Sequence, residues 1–213
     1  MTTVLLHAFP LDERMWENQR AVVPDALTPR LYGRGRTMDA WADSIAGEVD
    51  GELVLVGASM GGYCALALAR LAPERVRAAL LLGARPDGDT EERRAGRAET
   101  IELIREQGPD ALWRDMVPKL FADERHADER LLFRDPEGLI GAVEAIRDRV
   151  DSTDLARTLG DRLRFAVGEH DPFVSANELR EFDVRELSGA GHLANLERPD
   201  EFNDVLEQFV ANV

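Results

Sequence analysis

Leu53-Val54-Leu55-Val56-Gly57-Ala58-Ser59-Met60-Gly61-Gly62 decides how the rest of the chain is read. Its opening run of branched apolar residues predicts a strand covered on both faces, since a strand with one wet face would alternate with polar residues. The run enters a G-x-S-x-G turn, and Met60 to Leu71 continues as an apolar helical stretch. A serine at the tip of a sharp strand-to-helix turn takes a strained backbone, and the flanking glycines leave space where side chains would collide with backbone. Such a turn exposes the hydroxyl to the positive end of the following helix and aims the Met60 N–H at the position where an oxyanion forms. The plain alternative is a glycine-flanked loop with a capping serine.

Working outward, short apolar runs alternate with amphipathic stretches, the pattern of βαβ units around a parallel sheet. Strands are predicted at Val4 to His7, Ala26 to Tyr32, Leu53 to Val56, Ala78 to Leu82, Leu163 to Val167 and Val184 to Leu187. Helices are predicted at Met15 to Val23, Met38 to Glu48, Met60 to Leu71, Asn177 to Glu181 and Pro199 to Ala211. Gly57, Gly83 and Gly168 each close a strand, which puts the residues after them on the edge of the sheet where ligands bind. From Gly83 to Arg162 the alternation stops, leaving only helical segments at Thr90 to Glu106, Asp110 to Phe121 and Glu137 to Val150. The expected fold class is therefore α/β, a mostly parallel sheet of about six strands flanked by helices. Residues 1–83 and 163–213 form its core, and 84–162 an inserted helical cap.

Composition narrows the function. With 41 Asp and Glu against 26 Lys and Arg, the 213-residue chain carries a formal charge of -15 and repels phosphate backbones. Its arginines are interleaved with acids, as in EERRAGRAE from Glu91, and such runs are read as solvated helix faces. No stretch reaches the roughly 20 apolar residues of a membrane span, and MTTVLLHAFP lacks the charged region and cleavage site of a leader. A cytoplasmic chain that binds neither nucleic acid nor membrane is expected. The one cysteine, Cys64, lies in the apolar run YCALALA and is read as a core residue.

A serine hydroxyl needs a base within hydrogen-bond reach. Among four histidines, His192 stands in the glycine-rich loop Ser188-Gly-Ala-Gly-His192 between the last strand and the last helix, where its ring can reach over the sheet edge. His7 ends the first strand and is read as a buried, hydrogen-bonded support. His126 falls in a charged segment and is expected in solvent, and His170 should turn away if its neighbour Asp171 turns in. The base needs a carboxylate to fix its tautomer. Asp171, in Val167-Gly-Glu-His-Asp171-Pro, follows the penultimate strand; it is the candidate, against a turn-forming role before Pro172 and against Asp87 as rival acid. A second oxyanion donor should come from the loop after the first strand, where Phe9 N–H is the candidate beside Met60. Trp113, Phe121 and Phe173 are candidates for lining an acyl pocket, or are core. Nothing calls for a cofactor: LYGRGRT is not GxGxxG, and no His or Cys pair has metal-ligand spacing.

These motifs together resemble the α/β-hydrolase superfamily over almost the whole chain. HAFPLDERMW is similar to its oxyanion-loop signature, LYGRGRT to its RGxGxS-type turn, GASMGG to its nucleophile elbow, VGEHDPFV to its acid loop and GAGHLANLERPDEF to its histidine loop. Within the superfamily the chain looks like small bacterial capped esterases and enol-lactonases. Two departures stand out: Ala8 takes the place of the usual Gly, and the chain starts at the HAFP strand without the usual opening hairpin. The resemblance implies hydrolysis of a small carboxylic ester, lactone or related acyl compound, with Ser59 as nucleophile, His192 as base and Asp171 as acid. The same fold also hosts carbon–carbon bond hydrolases, lyases, perhydrolases and ligand receptors without turnover.

Overall fold

The computed structural model describes residues 1–213. Five strands, β1 (Thr2–Leu6), β2 (Leu53–Ala58), β3 (Val76–Leu82), β4 (Leu163–Gly168) and β5 (Asp183–Leu187), form one parallel sheet in sequential order. Between and after them run α1 (Met38–Glu48), α2 (Met60–Leu71), α3 (Glu91–Leu120), α4 (Pro136–Arg147), α5 (Thr153–Leu159), α6 (Ala194–Glu197) and α7 (Pro199–Ala211). No helix is long and apolar enough to cross a membrane.

The side-chain period of two along each strand divides the core cleanly. Val4, Leu6, Leu53, Leu55, Leu81, Phe165 and Val167 belong to one buried cluster with Trp41 and Ile45 of α1, Cys64 and Leu68 of α2 and Ile146 of α4. Leu5, Val54, Val56, Leu80, Leu82 and Ala166 belong to the other, with Phe202, Leu206 and Phe209 of α7. In a parallel sheet built in sequential order, right-handed crossovers carry α1, α2, α4 and α5 to one face, and the opposite face is closed by the C-terminal α7 together with Met15 and Trp16 after β1 and Trp113 and Leu120 of α3. Each fully buried Val or Leu on these strands contributes about 1.5–3 kcal/mol of transfer free energy.

Three expected elements differ. Ala26 to Tyr32 is not a strand: only Leu27 bridges Val4, its N–H donating to Thr3 O at 2.9 Å and its C=O accepting from Leu5 N at 2.8 Å. Pro24 and Pro29 on either side lack amide donors and hold φ near −65°, so the ladder cannot extend, and the sheet has five strands where about six were expected. Met15 to Val23 is two short 3-10 turns, Glu13–Trp16 and Gln19–Ala21, and Asn177 to Glu181 is a succession of turns. The run between β3 and β4 is helical, as its sequence indicates, and α3 breaks at Gly108 (φ 77°, ψ −178°) ahead of Pro109. α3 and α4 lie against each other, and Leu11 joins this segment to the loop after β1 through a bridge to Leu132.

Candidate active site

The site forms where β1, β2, β3 and β4 end. Ser59 has φ 49° and ψ −110°, and it is the one non-glycine residue with positive φ. The strain persists because the surroundings leave no alternative. A Cβ on Gly57 would stand 2.5 Å from the Gly61 carbonyl carbon, and one on Gly61 would stand 2.0 Å from Leu6 O. Strand, elbow and helix therefore approach more closely than any side chain permits. The Ser59 N–H donates to Leu82 O at 2.7 Å, and its carbonyl accepts from Gly62 and Tyr63, so the turn is tied to both neighbouring elements.

His192 is 3% exposed and stands over Gly83, where a Cβ would come within 2.9 Å of Nδ1. Its Nδ1 lies 2.7 Å from Asp171 Oδ2, a distance typical of a charge-assisted bond. Asp171 Oδ1 accepts from the N–H groups of Phe173 at 2.8 Å and Val174 at 3.3 Å. The carboxylate thus builds its own turn with one oxygen and meets the imidazole with the other. The Phe173 ring meets that of His192 edge-on, with centroids 4.7 Å apart. His170 is exposed, as is much of His126. Asp87, the other acid considered, is held by Arg85 at 2.6 Å and Arg93 at 2.7 Å and makes no bond to His192. Burial pushes the Asp87 carboxyl up, but the two guanidinium bonds outweigh it and leave the pKa below the usual value.

Ala8 N–H is taken by Met15 Sδ at 3.1 Å, whereas Phe9 N–H is bonded to no group of the chain. Met60 opens α2, where an amide has no acceptor inside the helix. His7 fixes the loop that carries Phe9. Its Nε2 accepts from Leu31 N–H at 2.9 Å and its Nδ1 sits 3.2 Å from Ala8 O, an arrangement that requires the neutral ring with its proton on Nδ1. Burial pushes its pKa down to about 4. The same loop is stapled to the inserted segment, with Phe133 N–H donating to Pro10 O at 3.0 Å. Cys64 lies in the core, and burial raises its thiol to about 12.

Ser59, His192, Phe9 and Phe173 open onto one cavity of about 260 Å³. Of the aromatic residues expected to line it, Phe173 does so. Trp113 and Phe121 do not: their rings stand 6.3 Å apart in the α7-side core cluster. Met116 and Leu120 of the same helix face the cavity in their place. The solvated-face reading of the arginines after Glu91 also fails in part, because Arg93 and Arg97, one turn apart, line the cavity with Arg85 and Arg149. Another residue missed in sequence is Glu197. It is 3% exposed, accepts Gly191 N–H at 2.6 Å and Asp123 N–H at 2.8 Å, and so ties the loop of His192 to the inserted segment. Its signal was a glutamate placed five residues after His192, on the loop's own following helix.

Residues 3–205 match the model of the Alpha/beta hydrolase family. A curated relative, a pimeloyl-[acyl-carrier protein] methyl ester esterase of Aromatoleum aromaticum, is 37% identical over 92 residues. That match spans 39% of this chain and 37% of the relative, so well under half of the relative's length is represented. Among solved structures, a thermophilic esterase from Thermogutta terrifontis superposes with a TM-score of 0.88 at 29% identity, covering 100% of this chain and 90% of that one. An enol-lactonase from Burkholderia xenovorans LB400 superposes with a TM-score of 0.82 at 23% identity, over 98% of this chain and 90% of the other, a likeness of fold.

Proposed function

The chain belongs to the alpha/beta hydrolase family, and from that premise we propose that it is a serine hydrolase cleaving a small carboxylic ester or lactone through an acyl-enzyme on Ser59. The observation that carries this reading is the strained Ser59 opening onto the same cavity as an imidazole whose Nδ1 is occupied by Asp171. With Nδ1 so engaged, Nε2 is the nitrogen left to receive a proton.

In the proposed reaction, Nε2 of His192 takes the Ser59 proton as the oxygen attacks the carbonyl carbon. Asp171 holds the ring in the tautomer that can accept it and stabilises the imidazolium. The Phe9 and Met60 amides bind the oxyanion, and His192 passes the proton to the departing alkoxide. Water then enters by the same route, giving up a proton to His192, and the acid is released with Ser59 restored. Residues 84–162 act as a cap on the core of 1–83 and 163–213, a division supported by the contribution of α3 and α4 to the cavity wall. The Thermogutta esterase, alike over the full chain, supports ester hydrolysis as the reaction.

The test is turnover of p-nitrophenyl esters of graded acyl length by the purified chain and by Ser59→Ala. Hydrolysis by the first and not by the second is expected. Equal rates would sink the assignment of Ser59.

A further inference from the structure

The backbone around His192 is held from two directions. On the β4 side, His170 N–H donates to Ala190 O at 2.8 Å, and Gly168 lies so close that a Cβ there would stand 2.0 Å from Gly191 O. On the other side stands the end of α3. Leu193 N–H donates to Leu120 O at 3.1 Å, and a Cβ on Gly191 would meet Ala122 N at 2.6 Å. Glu197 completes this side: its Oε2 accepts from Gly191 N–H at 2.6 Å and its Oε1 from Asp123 N–H at 2.8 Å. Both chain neighbours of His192 are therefore fixed to residues 120–123, one directly and one through a carboxylate.

That carboxylate has no cation paired with it. Glu197 is 3% exposed, and the guanidinium of Arg198, the next residue, donates to the carbonyls of Ser188, Gly189 and Glu197 instead. Burying a carboxylate without a counter-charge destabilises a fold unless hydrogen bonds offset the lost hydration. Here two backbone amides do so, at distances typical of charge-assisted bonds. An amide side chain of the same size has one acceptor oxygen and serves only one of them. The two amides belong to different walls: Gly191 precedes the base, and Asp123 follows the helix whose Leu120 lines the cavity. Two acceptors on one rigid group join those walls at a fixed separation.

We propose that Glu197 is a positioning residue for the base: by holding Gly191 against the end of α3, it sets where the His192 ring stands relative to Ser59. This inference rests on Ser59 being the nucleophile and His192 its base. Ser59 is fixed on a strained elbow, so the approach of hydroxyl to imidazole depends on where the His192 loop is held. Asp171 orients the ring through Nδ1, and Glu197 holds the backbone from which the ring projects. Glu197 is not among the residues that line the cavity; it acts through Gly191 and exchanges no proton.

The test is a double-mutant cycle on p-nitrophenyl acetate hydrolysis, with Glu197→Gln made in the parent and in His192→Ala. A misplacement of about 1 Å costs on the order of 10²-fold in rate, and Glu197→Gln is expected to lower kcat by that order with KM within about twofold of the parent. His192→Ala keeps the slow hydrolysis that binding and the oxyanion amides support. Adding Glu197→Gln there should change the rate by less than about twofold, since no base is left to misplace. Gly191→Ala, whose Cβ is driven against Ala122 N, moves the same loop from its other side and should repeat the pattern if Glu197→Gln does not fold. Full kcat in a folded variant, an equal fall in both backgrounds, or loss of the fold in both variants overturns the proposal. Each of these leaves Ser59 as nucleophile intact, because the parent still takes a fluorophosphonate label there. If the parent takes no label and Ser59→Ala hydrolyses the ester at the same rate, the serine reading fails and this inference goes with it.

Discussion

Asp171 divides its two oxygens between two tasks: Oδ2 lies 2.7 Å from Nδ1 of His192, and Oδ1 caps the turn at Phe173 and Val174. The turn and the imidazole contact can therefore be separated by substitution. Asp171→Asn keeps an acceptor for the turn but presents either a neutral oxygen or an NH2 to the ring. Its stability should stay within about 1 kcal/mol of the parent, while kcat falls by about 10⁴-fold through the wrong tautomer. Asp171→Ala should lose comparable activity and more stability. Urea unfolding beside ester turnover measures both, and Asp87→Asn should retain most of the activity.

Gly83 is the seat of His192. With φ +58° and a Cβ position 2.9 Å from Nδ1, Gly83→Ala must push the ring away or distort the end of β3. A displacement of about 1 Å costs on the order of 10²-fold in rate. We expect kcat to fall by that order with KM nearly constant, as steady-state kinetics on a p-nitrophenyl ester would register.

Strain at Ser59 predicts a stability effect of the opposite sign. A side chain at φ 49°, ψ −110° costs on the order of 1–3 kcal/mol, and glycine relieves it at the expense of greater freedom in the unfolded chain. Ser59→Gly should be inactive and about 1 kcal/mol more stable than Ser59→Ala. Denaturant midpoints of the two variants decide the point.

His7 gives stability a pH dependence. Its imidazole titrates near 4 in the fold against 6.5 when unfolded. Between these values the unfolded chain binds a proton that the folded chain excludes, so stability falls as pH is lowered from 6.5 to 4. The contribution is complete above that window. The loss across it is about 3 kcal/mol, at roughly 1.4 kcal/mol per unit. His7→Gln, which can still accept from Leu31 N–H, should flatten the slope by that amount in unfolding measured across the same pH range.

The elbow was legible in sequence because its requirements are local: Gly57, Ser59 and Gly61 stand within five residues and follow an unbroken apolar strand. His192 and Asp171 were legible because each follows a strand and a glycine that fix the sheet edge. The edge beyond β1 was not, since the apolar content of Ala26 to Tyr32 masked what Pro24 and Pro29 do to an edge ladder. Trp113 and Arg97 were misjudged for a shared reason. Helical periodicity shows that a helix has two faces, but which face meets the core and which the cavity depends on packing among α3, α4 and α7, and no short-range pattern encodes that.

Intact-mass and peptide analysis after treating folded protein with a fluorophosphonate tests Ser59 as the nucleophile directly. One adduct is expected, located on Ser59, formed slowly in Asp171→Asn and absent in Ser59→Ala. A folded chain that takes no label, or carries it at another residue, would contradict it.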